Sequence, residues 1–349
     1  MLGQEKRPGL TPQVAFAAVM ALVLALFGGY HLILGTEAAA PIQDRIRERL
    51  VSVLPAPTST PTGTAQTAEP VETPTPTPEP GSGGQAAAGQ APRPALRPLD
   101  TIRRDHYWLQ RPIAPPGDDS VARFYPYGSR MDGSYPVHYG VEMVNAAGTP
   151  VLAPASGVVV VAGSDEQQAY GARAGFYGLV VIIQLDQRYQ GAPVYVVFGH
   201  LSEVKVTVGQ PVTAGQVVGL VGDSGYAESP HLHSEVRIGS NDYRATVNPE
   251  LWYQPRPGYG TLAGALLDET GQLDDSESKL VLRSAGGAAE VFTYPLGNVN
   301  PDPEWTENFA IGDLAPGQWT AELFYKGVLI TKEFSITPGE TTWLVIPTR

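Results

Sequence analysis

The 349-residue chain contains no cysteine, and it has few basic residues for its length. The absence of cysteine excludes thiol catalysis, thiolate metal ligands and disulfide frameworks, so any metal must be held by histidine and carboxylate side chains. Lysine and arginine total 23 against 35 aspartates and glutamates, and the net charge of -12 argues against a nucleic-acid partner. At about 100–200 residues per domain, the chain has room for about two domains with a sizeable core.

The N-terminal part contains one long apolar run. Residues 1–13 carry Lys6 and Arg7, which suits a short cytoplasmic N-terminus, and residues 14–34 are almost entirely apolar. At about 1.5 Å per residue, this run covers the roughly 30 Å of a bilayer core. We therefore expect a signal-anchor transmembrane helix in the cell membrane, with the bulk of the chain extracytoplasmic. The alternative is a signal peptide cleaved near residues 38–40, which would release a secreted protein.

Two segments separate this run from the rest of the chain. Residues 35–54 have the apolar and charged positions of a short juxtamembrane helix. Residues 55–99 are rich in proline, threonine and glycine and too poor in apolar residues to order themselves, so we predict a disordered linker. Such a linker would hold the following domain at a variable distance from the membrane.

We predict that residues 100–255 form a predominantly antiparallel β domain. Short β-like runs are separated by glycine and proline, and no long run with helical periodicity interrupts them. The predicted runs are 149–162, 179–185, 194–198, 204–208 and 216–221.

Five of the six histidines lie in this domain, and four of the five are in glycine-flanked β contexts: His138, His200, His231 and His233. His231 and His233 are two residues apart on a predicted strand, so their rings project from the same face. Glu235 shares that face, where we expect a solvated carboxylate, with a supporting role behind the histidines as the alternative. On spacing alone, His200 is a loop histidine without a role.

His138 and Glu142 are four residues apart and would lie about 13 Å from each other on an extended strand, too far to share one ion. We therefore expect the backbone to bend between them at Gly140, where glycine permits it. His138, Glu142 and His233 together would offer two nitrogens and one oxygen. They would leave a fourth position for water, which is the arrangement of a catalytic rather than a structural zinc site.

Several motifs resemble one family in their order and spacing. They are HisTyrGlyValGlu at 138–142, the glycine- and valine-rich segments 148–160 and 208–225, PheGlyHisLeuSer at 198–202, ProHisLeuHisSerGluValArg at 230–237 and AsnProGlu at 248–250. This set resembles the lysostaphin/LytM-type zinc endopeptidases, the twenty-third metallopeptidase family, which cleave peptide cross-links of peptidoglycan.

The resemblance implies one Zn²⁺ ion held by His138, Glu142 and His233. It also implies that His200 and His231 act as general base and as stabiliser of the tetrahedral intermediate, in an order that it leaves open. The metal carboxylate of the family is aspartate, and Glu142 is one methylene longer. The family also uses a tyrosine near the oxyanion.

For that tyrosine, Tyr127 and Tyr135 are both candidates, which the sequence does not separate.

Residues 256–349 form a second β-rich stretch, which we predict to be a small antiparallel sandwich. It resembles the transthyretin-like domains of the carboxypeptidase-regulatory type, on the GluThrGly turn at 269–271 and LeuAlaProGlyGlnTrp at 314–319. We interpret it as an accessory module that is either structural or binds wall or protein ligands.

The sequence as a whole predicts a mainly β protein with a LytM-type peptidase domain and a C-terminal β-sandwich, preceded by one transmembrane helix and a linker. The function hypothesis is an exported, membrane-tethered zinc metalloendopeptidase that hydrolyses peptide bonds in peptidoglycan cross-links. The alternative is a degenerate LytM-type domain without activity, which binds the cell wall or activates another wall hydrolase. Glu142 is the feature that divides the two.

Overall fold

The computed structural model describes residue 98 and residues 101–131, 133, 135–295 and 297–349. The predicted cytoplasmic segment, membrane anchor and juxtamembrane helix lie outside these residues, as does nearly all of the predicted linker. Within the described residues, no helix has the length and apolar character needed to cross a bilayer.

The first part of the described chain forms one nine-stranded antiparallel sheet. Its strands are β1 (Val141–Val144), β2 (Pro150–Leu152), β3 (Gly157–Ser164), β4 (Leu179–Tyr189), β5 (Ala192–Val204), β6 (Pro211–Val212), β7 (Val217–Val221), β8 (His231–Ile238) and β9 (Thr246–Val247). The central order is β1-β8-β5-β4-β3-β6, while β7 pairs with β2 and β5, and β9 pairs with β8. Two short 3₁₀ turns, Tyr243–Ala245 and Pro249–Leu251, flank β9.

The middle of this sheet is covered on both faces. Alternate residues of β5 go to opposite sides, so that Val196 and Phe198 join the main core while Val197 packs with Tyr177 on the other side. All four of these side chains are fully buried. Continuous apolar runs are typical of strands covered on both faces, which explains the run of valines in β5. The histidines of β8 project to the face of the sheet that carries Val197.

Two predicted runs differ from the observed strands. The run 149–162 is interrupted at residues 153–156, because the chain leaves β2 there and turns into β3. The run 204–208 is not a separate strand, since Val204 ends β5 and the chain then turns through Gly209, which has a positive φ of 85°.

The second part forms two further sheets. One contains β10 (Gly260–Leu267), β13 (Phe309–Leu314) and β16 (Thr341–Pro347). The other contains β11 (Lys279–Ser284), β12 (Gly287–Phe292), β14 (Gly317–Tyr325) and β15 (Val328–Ile336). Residues from both sheets share one core, which includes Leu262, Phe309, Leu282 and Trp319.

Two details of these sheets differ from the predicted antiparallel sandwich. The sequence does not predict strand β13, because Gly312 and Asp313 interrupt its apolar pattern, and Asp313 has a φ of 58°. Strands β10 and β16 pair in parallel. The likeness to transthyretin-like domains and the domain boundary at residue 255 stay predictions.

The two parts share buried contacts where they meet. Ala263 and Trp305 from the second part belong to the same core cluster as Leu109 and Trp252 from the first. Asp302 is fully buried and accepts a hydrogen bond from the Trp252 indole at 2.9 Å. The second part is therefore packed against the first part, at residues that lie outside the nine strands.

Candidate metal centre

The pairing of β1 with β8 brings Glu142 and His233 together. The two residues lie directly opposite one another in the register, and both are buried. Side chains of directly opposed residues lie on the same face about 5 Å apart at Cβ. Here Glu142 Oε1 is 3.1 Å from His233 Nδ1. The sheet itself thus fixes two members of the predicted metal site.

His138 reaches the same place from the residues before β1. Its Nε2 lies 2.9 Å from Glu142 Oε1 and 3.4 Å from His233 Nδ1. The backbone bends at Gly140, as the sequence predicts, but the φ of Gly140 is not positive, so the bend alone does not require glycine. A Cβ at Gly140 would lie 2.6 Å from the carbonyl oxygen of Ser234 and 2.7 Å from His233 Cε1. Glycine here makes room for the ring of His233.

The ring nitrogens on the far side of the two histidines have their own acceptors. His138 Nδ1 lies 2.7 Å from the carbonyl oxygen of Tyr125, and His233 Nε2 lies 3.1 Å from Glu235 Oε1. Because a carbonyl or carboxylate oxygen can only accept, both of these nitrogens carry the proton. In the neutral rings, His138 Nε2 and His233 Nδ1 are then left with lone pairs that face Glu142.

Glu235 is not solvated, and the expectation of a surface carboxylate was wrong. Its side chain has no exposed area. Arg237 Nε donates to Glu235 Oε2 at 2.8 Å, and the Tyr177 hydroxyl is hydrogen-bonded to Oε1. Burial opposes the ionisation of Glu235, but the charge of Arg237 and the bond from His233 outweigh it and lower the pKa of Glu235. An ionised Glu235 therefore holds the ring of His233 from behind.

His200 and His231 lie beside the cluster, with their ring centroids 4.9 Å apart. His200 Nδ1 donates to the carbonyl oxygen of Ser224 at 2.8 Å, and His231 Nδ1 donates to that of Ser229 at 2.7 Å. Both rings therefore have Nε2 left to interact with other groups. His200 has a φ of 61°, a left-handed conformation that costs a non-glycine residue about 1–3 kcal/mol. Such strain is concentrated at functional sites.

The charges in the site depend on one another. Burial disfavours the ionised form of Glu142, but the histidines around it, His233 first, lower the pKa of Glu142 well below its usual range. Burial opposes protonation of His233 in turn, while Glu142 and then Glu235 raise its pKa to about 9. Burial, followed by repulsion from the neighbouring histidines, lowers the pKa of His200 to about 4. An ionised carboxylate thus lies among histidines of which His200 stays neutral at pH 7.

The cluster of His138, Glu142 and His233, here called the three-residue cluster, fits a tetrahedral cation. Zinc bonds of about 2.0–2.2 Å to nitrogen and oxygen place two ligand atoms of a tetrahedral site about 3.4 Å apart. The three donor atoms are 2.9, 3.1 and 3.4 Å apart. Glu142 Oε2 is buried without a hydrogen bond of good geometry, although His231 Nε2 lies 2.8 Å away. Across the described ranges, no other group of at least three such side chains is placed to hold a metal.

A cleft of about 230 Å³ leads to the three-residue cluster. Its walls are mostly aromatic and include Phe124, Tyr125, Tyr135, Phe176, Tyr226 and Tyr243. Phe124 and Tyr226 are 62% and 56% exposed, respectively. The cluster is therefore shielded by apolar walls but open to a ligand that enters the cleft.

The two candidate oxyanion tyrosines occupy different places. Tyr135 lines the cleft and is 40% exposed. Tyr127 is buried and does not line the cleft, because its hydroxyl faces the carbonyl oxygen of Thr246 at 2.9 Å. Tyr125, which the sequence did not single out, stacks on His138 with the ring centroids 4.1 Å apart and the planes at 7°.

Two further residues of the site were missed from the sequence, namely Tyr177 and Arg237. Arg237 lies on β8 at an odd-numbered position like His231 and His233, so strand alternation could have placed it on their face. Tyr177 gave no such signal, since it lies in a loop between β3 and β4 and reaches Glu235 only through the fold.

A buried set of two histidines and one glutamate, reached by a cleft and flanked by two further histidines, is a donor set found in metallohydrolases. Residues 136–249 match the sequence model of Peptidase family M23, so this segment of the chain is similar to that family.

Three relatives illustrate the likeness. Lysostaphin from Staphylococcus staphylolyticus is 32% identical over 141 residues, which cover 40% of this chain and 26% of that protein. The DD-carboxypeptidase/endopeptidase Mpg from Neisseria meningitidis serogroup B is 33% identical over 135 residues, which cover 38% and 27%. The chain thus spans about a quarter of the length of these curated relatives. The solved catalytic domain of lysostaphin from Staphylococcus simulans has 31% identity and a TM-score of 0.29, covering 36% of this chain and 83% of that domain.

Proposed function

We propose that this chain is a zinc metalloendopeptidase that hydrolyses peptide bonds in peptidoglycan cross-links. The single observation that carries the proposal is the convergence of the three-residue cluster with His200 and His231 at one cleft. The M23 match supports the substrate class, since members of this family act on peptidoglycan.

In this proposal, His138, Glu142 and His233 hold one Zn²⁺ ion through Nε2, Oε1 and Nδ1. When bound, the ion supplies a Lewis acid that polarises a carbonyl group and lowers the pKa of water. Tyr125 and Glu235 keep the two histidines in the tautomers that metal binding needs. Glu142 neutralises part of the charge of the ion.

His200 and His231 divide the proton chemistry. Ser224 holds the proton of His200 on Nδ1, so Nε2 of this neutral ring can accept a proton from the attacking water. His231 Nε2 lies 2.8 Å from Glu142 Oε2, at ion-pair distance, which favours a protonated ring there. We assign His231 to the side of the developing oxyanion, where an Nε2–H donor is useful, and Tyr135 to the same side.

The test is digestion of purified peptidoglycan, with the product masses identifying the cleaved bond and metal analysis performed on the same protein. The full chain is expected to retain about one zinc ion and to release muropeptides. His233→Ala should lose both properties, while Glu203→Gln, which alters an exposed carboxylate away from the cleft, should keep both. Retained zinc with intact peptidoglycan would refute the proposed activity but leave the metal site.

A separate experiment tests the division of roles. His200→Ala and His231→Ala should both keep zinc, because neither residue belongs to the three-residue cluster. Each should lower kcat by about 10²–10⁴-fold, the usual contribution of a positioned acid or base. Loss of zinc in either variant would show that the residue is a ligand, against the assignment.

The second candidate is a non-catalytic domain that binds the wall or activates another hydrolase. The observation that favours it is the longer Glu142 side chain, whose Oε2 approaches His231 and so occupies a residue that catalysis needs. Glu142→Asp separates the two candidates. A native protein that is inactive and an aspartate variant that cleaves peptidoglycan would support the second candidate.

The location is proposed on sequence grounds alone. The apolar run 14–34 and the linker 55–99 support a membrane-tethered, extracytoplasmic domain. Fractionation of cells expressing the full chain, with protease added from outside, tests it. Cleavage of the chain in intact cells is expected, and full protection would contradict export.

A further inference from the structure

His138 depends on a short segment that precedes it. The backbone N–H of Gly128 donates to the His138 carbonyl at 2.7 Å, and the N–H of His138 donates to the Ser129 carbonyl at 3.1 Å. Together with the bond from His138 Nδ1 to the Tyr125 carbonyl, these contacts place residues 125–129 as the support of His138. Unlike Glu142 and His233, His138 lies outside the strands of the sheet.

The same segment is held by the second part of the chain. Ser129 Oγ donates to Glu277 Oε1 at 2.5 Å, and the backbone N–H of Arg130 donates to Glu277 Oε2 at 3.1 Å. The ring of Tyr127 meets that of Tyr294 edge to face, with the centroids 5.3 Å apart. A Cβ at Gly128, which has a φ of 77°, would lie 2.3 Å from Tyr294 Cβ. The segment therefore packs directly on residues of the second part of the chain that lie just before β11 and just after β12.

Tyr294 is itself rigidly placed. It is buried, its backbone N–H donates to the Asn308 carbonyl at 2.8 Å, and its hydroxyl is hydrogen-bonded to Glu307. Glu307 also accepts the backbone N–H of Asp302, at 3.1 and 3.0 Å to its two oxygens. Burial, followed by the charge of Asp302, raises the pKa of Glu307 well above its usual range.

We infer that the C-terminal part of the chain positions a metal ligand, with Glu277 and Tyr294 bracing residues 127–130 and so fixing His138 against Glu142 and His233. The inference rests on the proposed metal site and gives the C-terminal part a role within the catalytic unit. Glu277 and Tyr294 are positioning residues, because neither lies in the cleft.

The contacts of Glu277 predict how its removal would affect zinc binding. Without Glu277, Ser129 and the N–H of Arg130 lose their acceptor, and the segment that fixes His138 becomes free to shift. Partners that orient a metal ligand typically contribute 10–100-fold in metal affinity. Because Glu277 acts through one more layer of contacts, we expect a loss near the lower end, about tenfold.

The experiment measures the zinc dissociation constant of the full-length protein by competition with a chromophoric chelator. Glu277→Ala is expected to weaken zinc binding by about tenfold, and Glu277→Gln, which keeps an acceptor oxygen, to recover part of it. Ser129→Ala removes the same contact from the other side and should weaken binding to a similar extent. Glu290→Ala, which removes an exposed carboxylate from the same part of the chain, is the matched control and should bind as the wild type does.

Two readouts separate positioning from general stability. Unfolding in urea reports stability, and the d–d absorption of the Co²⁺-substituted protein reports ligand geometry. A shifted Co²⁺ spectrum together with weaker zinc binding in the folded Ser129 and Glu277 variants supports the inference. Lower stability with unchanged spectrum and unchanged zinc affinity overturns it. A wild-type protein that binds no zinc would instead refute the proposed function.

Discussion

Gly140→Ala is the substitution that tests most directly how the sheet forms the site. The added Cβ would lie 2.6 Å from the Ser234 carbonyl oxygen, about 0.8 Å closer than the 3.4 Å at which ordinary van der Waals contact begins. It would also lie 2.7 Å from His233 Cε1. Neither neighbour yields easily, because Ser234 is in the buried strand β8 and Glu142 and Glu235 hold the ring of His233.

The strain must then be relieved by moving β1 or the His233 ring. Overpacking of this kind costs about 1–3 kcal/mol, so the free energy of unfolding should fall by that amount. A displaced ring should also weaken zinc binding by about 10–100-fold. Urea unfolding followed by tryptophan fluorescence measures the first effect, and chelator competition measures the second.

Gly286→Ala is the control for this prediction. A Cβ at Gly286 would meet nothing closer than 3.9 Å, so its effect on stability should stay within about 0.5 kcal/mol. If Gly140→Ala matches the control in both stability and zinc affinity, the close approach of the two strands does not constrain the ring of His233.

Four further outcomes are expected. Glu235→Gln should weaken zinc binding by about 10–100-fold with little change in the Michaelis constant, because it removes the carboxylate behind His233; unchanged affinity would contradict this. Zinc at 100 times its dissociation constant should stabilise the wild type by about 2.7 kcal/mol in thermal unfolding but not His233→Ala. Arg123→Met, which removes the ion pair with the buried Glu250 at 2.6 Å, should lower the free energy of unfolding by about 1–3 kcal/mol, and a loss below about 0.5 kcal/mol would count against it. Because the pKa of Glu307 is raised in the folded chain, its contribution to stability is complete below about pH 4.5 and is lost as the pH rises through the folded pKa. Glu307→Gln should therefore lose less stability than the wild type between about pH 5 and pH 8 in urea unfolding, and parallel curves would disprove this.

The local sequence patterns predicted which residues lie in the site better than they predicted the contacts that surround those residues. Strand alternation correctly placed His231 and His233 on one face of β8. The same alternation placed Glu235 on the correct face, but Glu235 is buried and not solvated as expected. Alternation does not predict burial, because burial depends on which residues pack over that face of the strand. Tyr177 and Arg237 provide that cover. Strand alternation could have placed Arg237 on this face, whereas Tyr177 lies far away in the sequence and reaches Glu235 only through the fold.

Gly140 and β13 show two other limits. A glycine between two predicted ligands indicates that no larger residue fits there. Only the position of the paired strand β8 shows whether glycine is needed for its backbone conformation or for the space that a Cβ would occupy. Strand β13 has Gly312 and Asp313 in its sequence, and both are explained by contacts from distant residues. A Cβ at Gly312 would lie 3.2 Å from Glu250 Oε2, which accepts the N–H of Gly312 at 2.8 Å. Arg111 donates to Asp313 at 2.7 Å. Such partners cannot be read from a single stretch of chain.

The shared core between the two parts affects how this protein can be divided. The M23 match ends at residue 249, and a cut just beyond it would look natural from the sequence. Such a cut would remove Ala263 and Trp305, which pack with Leu109 and Trp252, and would expose an apolar surface. It would also remove Asp302, the hydrogen-bond acceptor of the Trp252 indole. The segment that matches the M23 model is therefore not expected to be stable by itself, and truncation or recombination at its boundary is expected to give an aggregation-prone product.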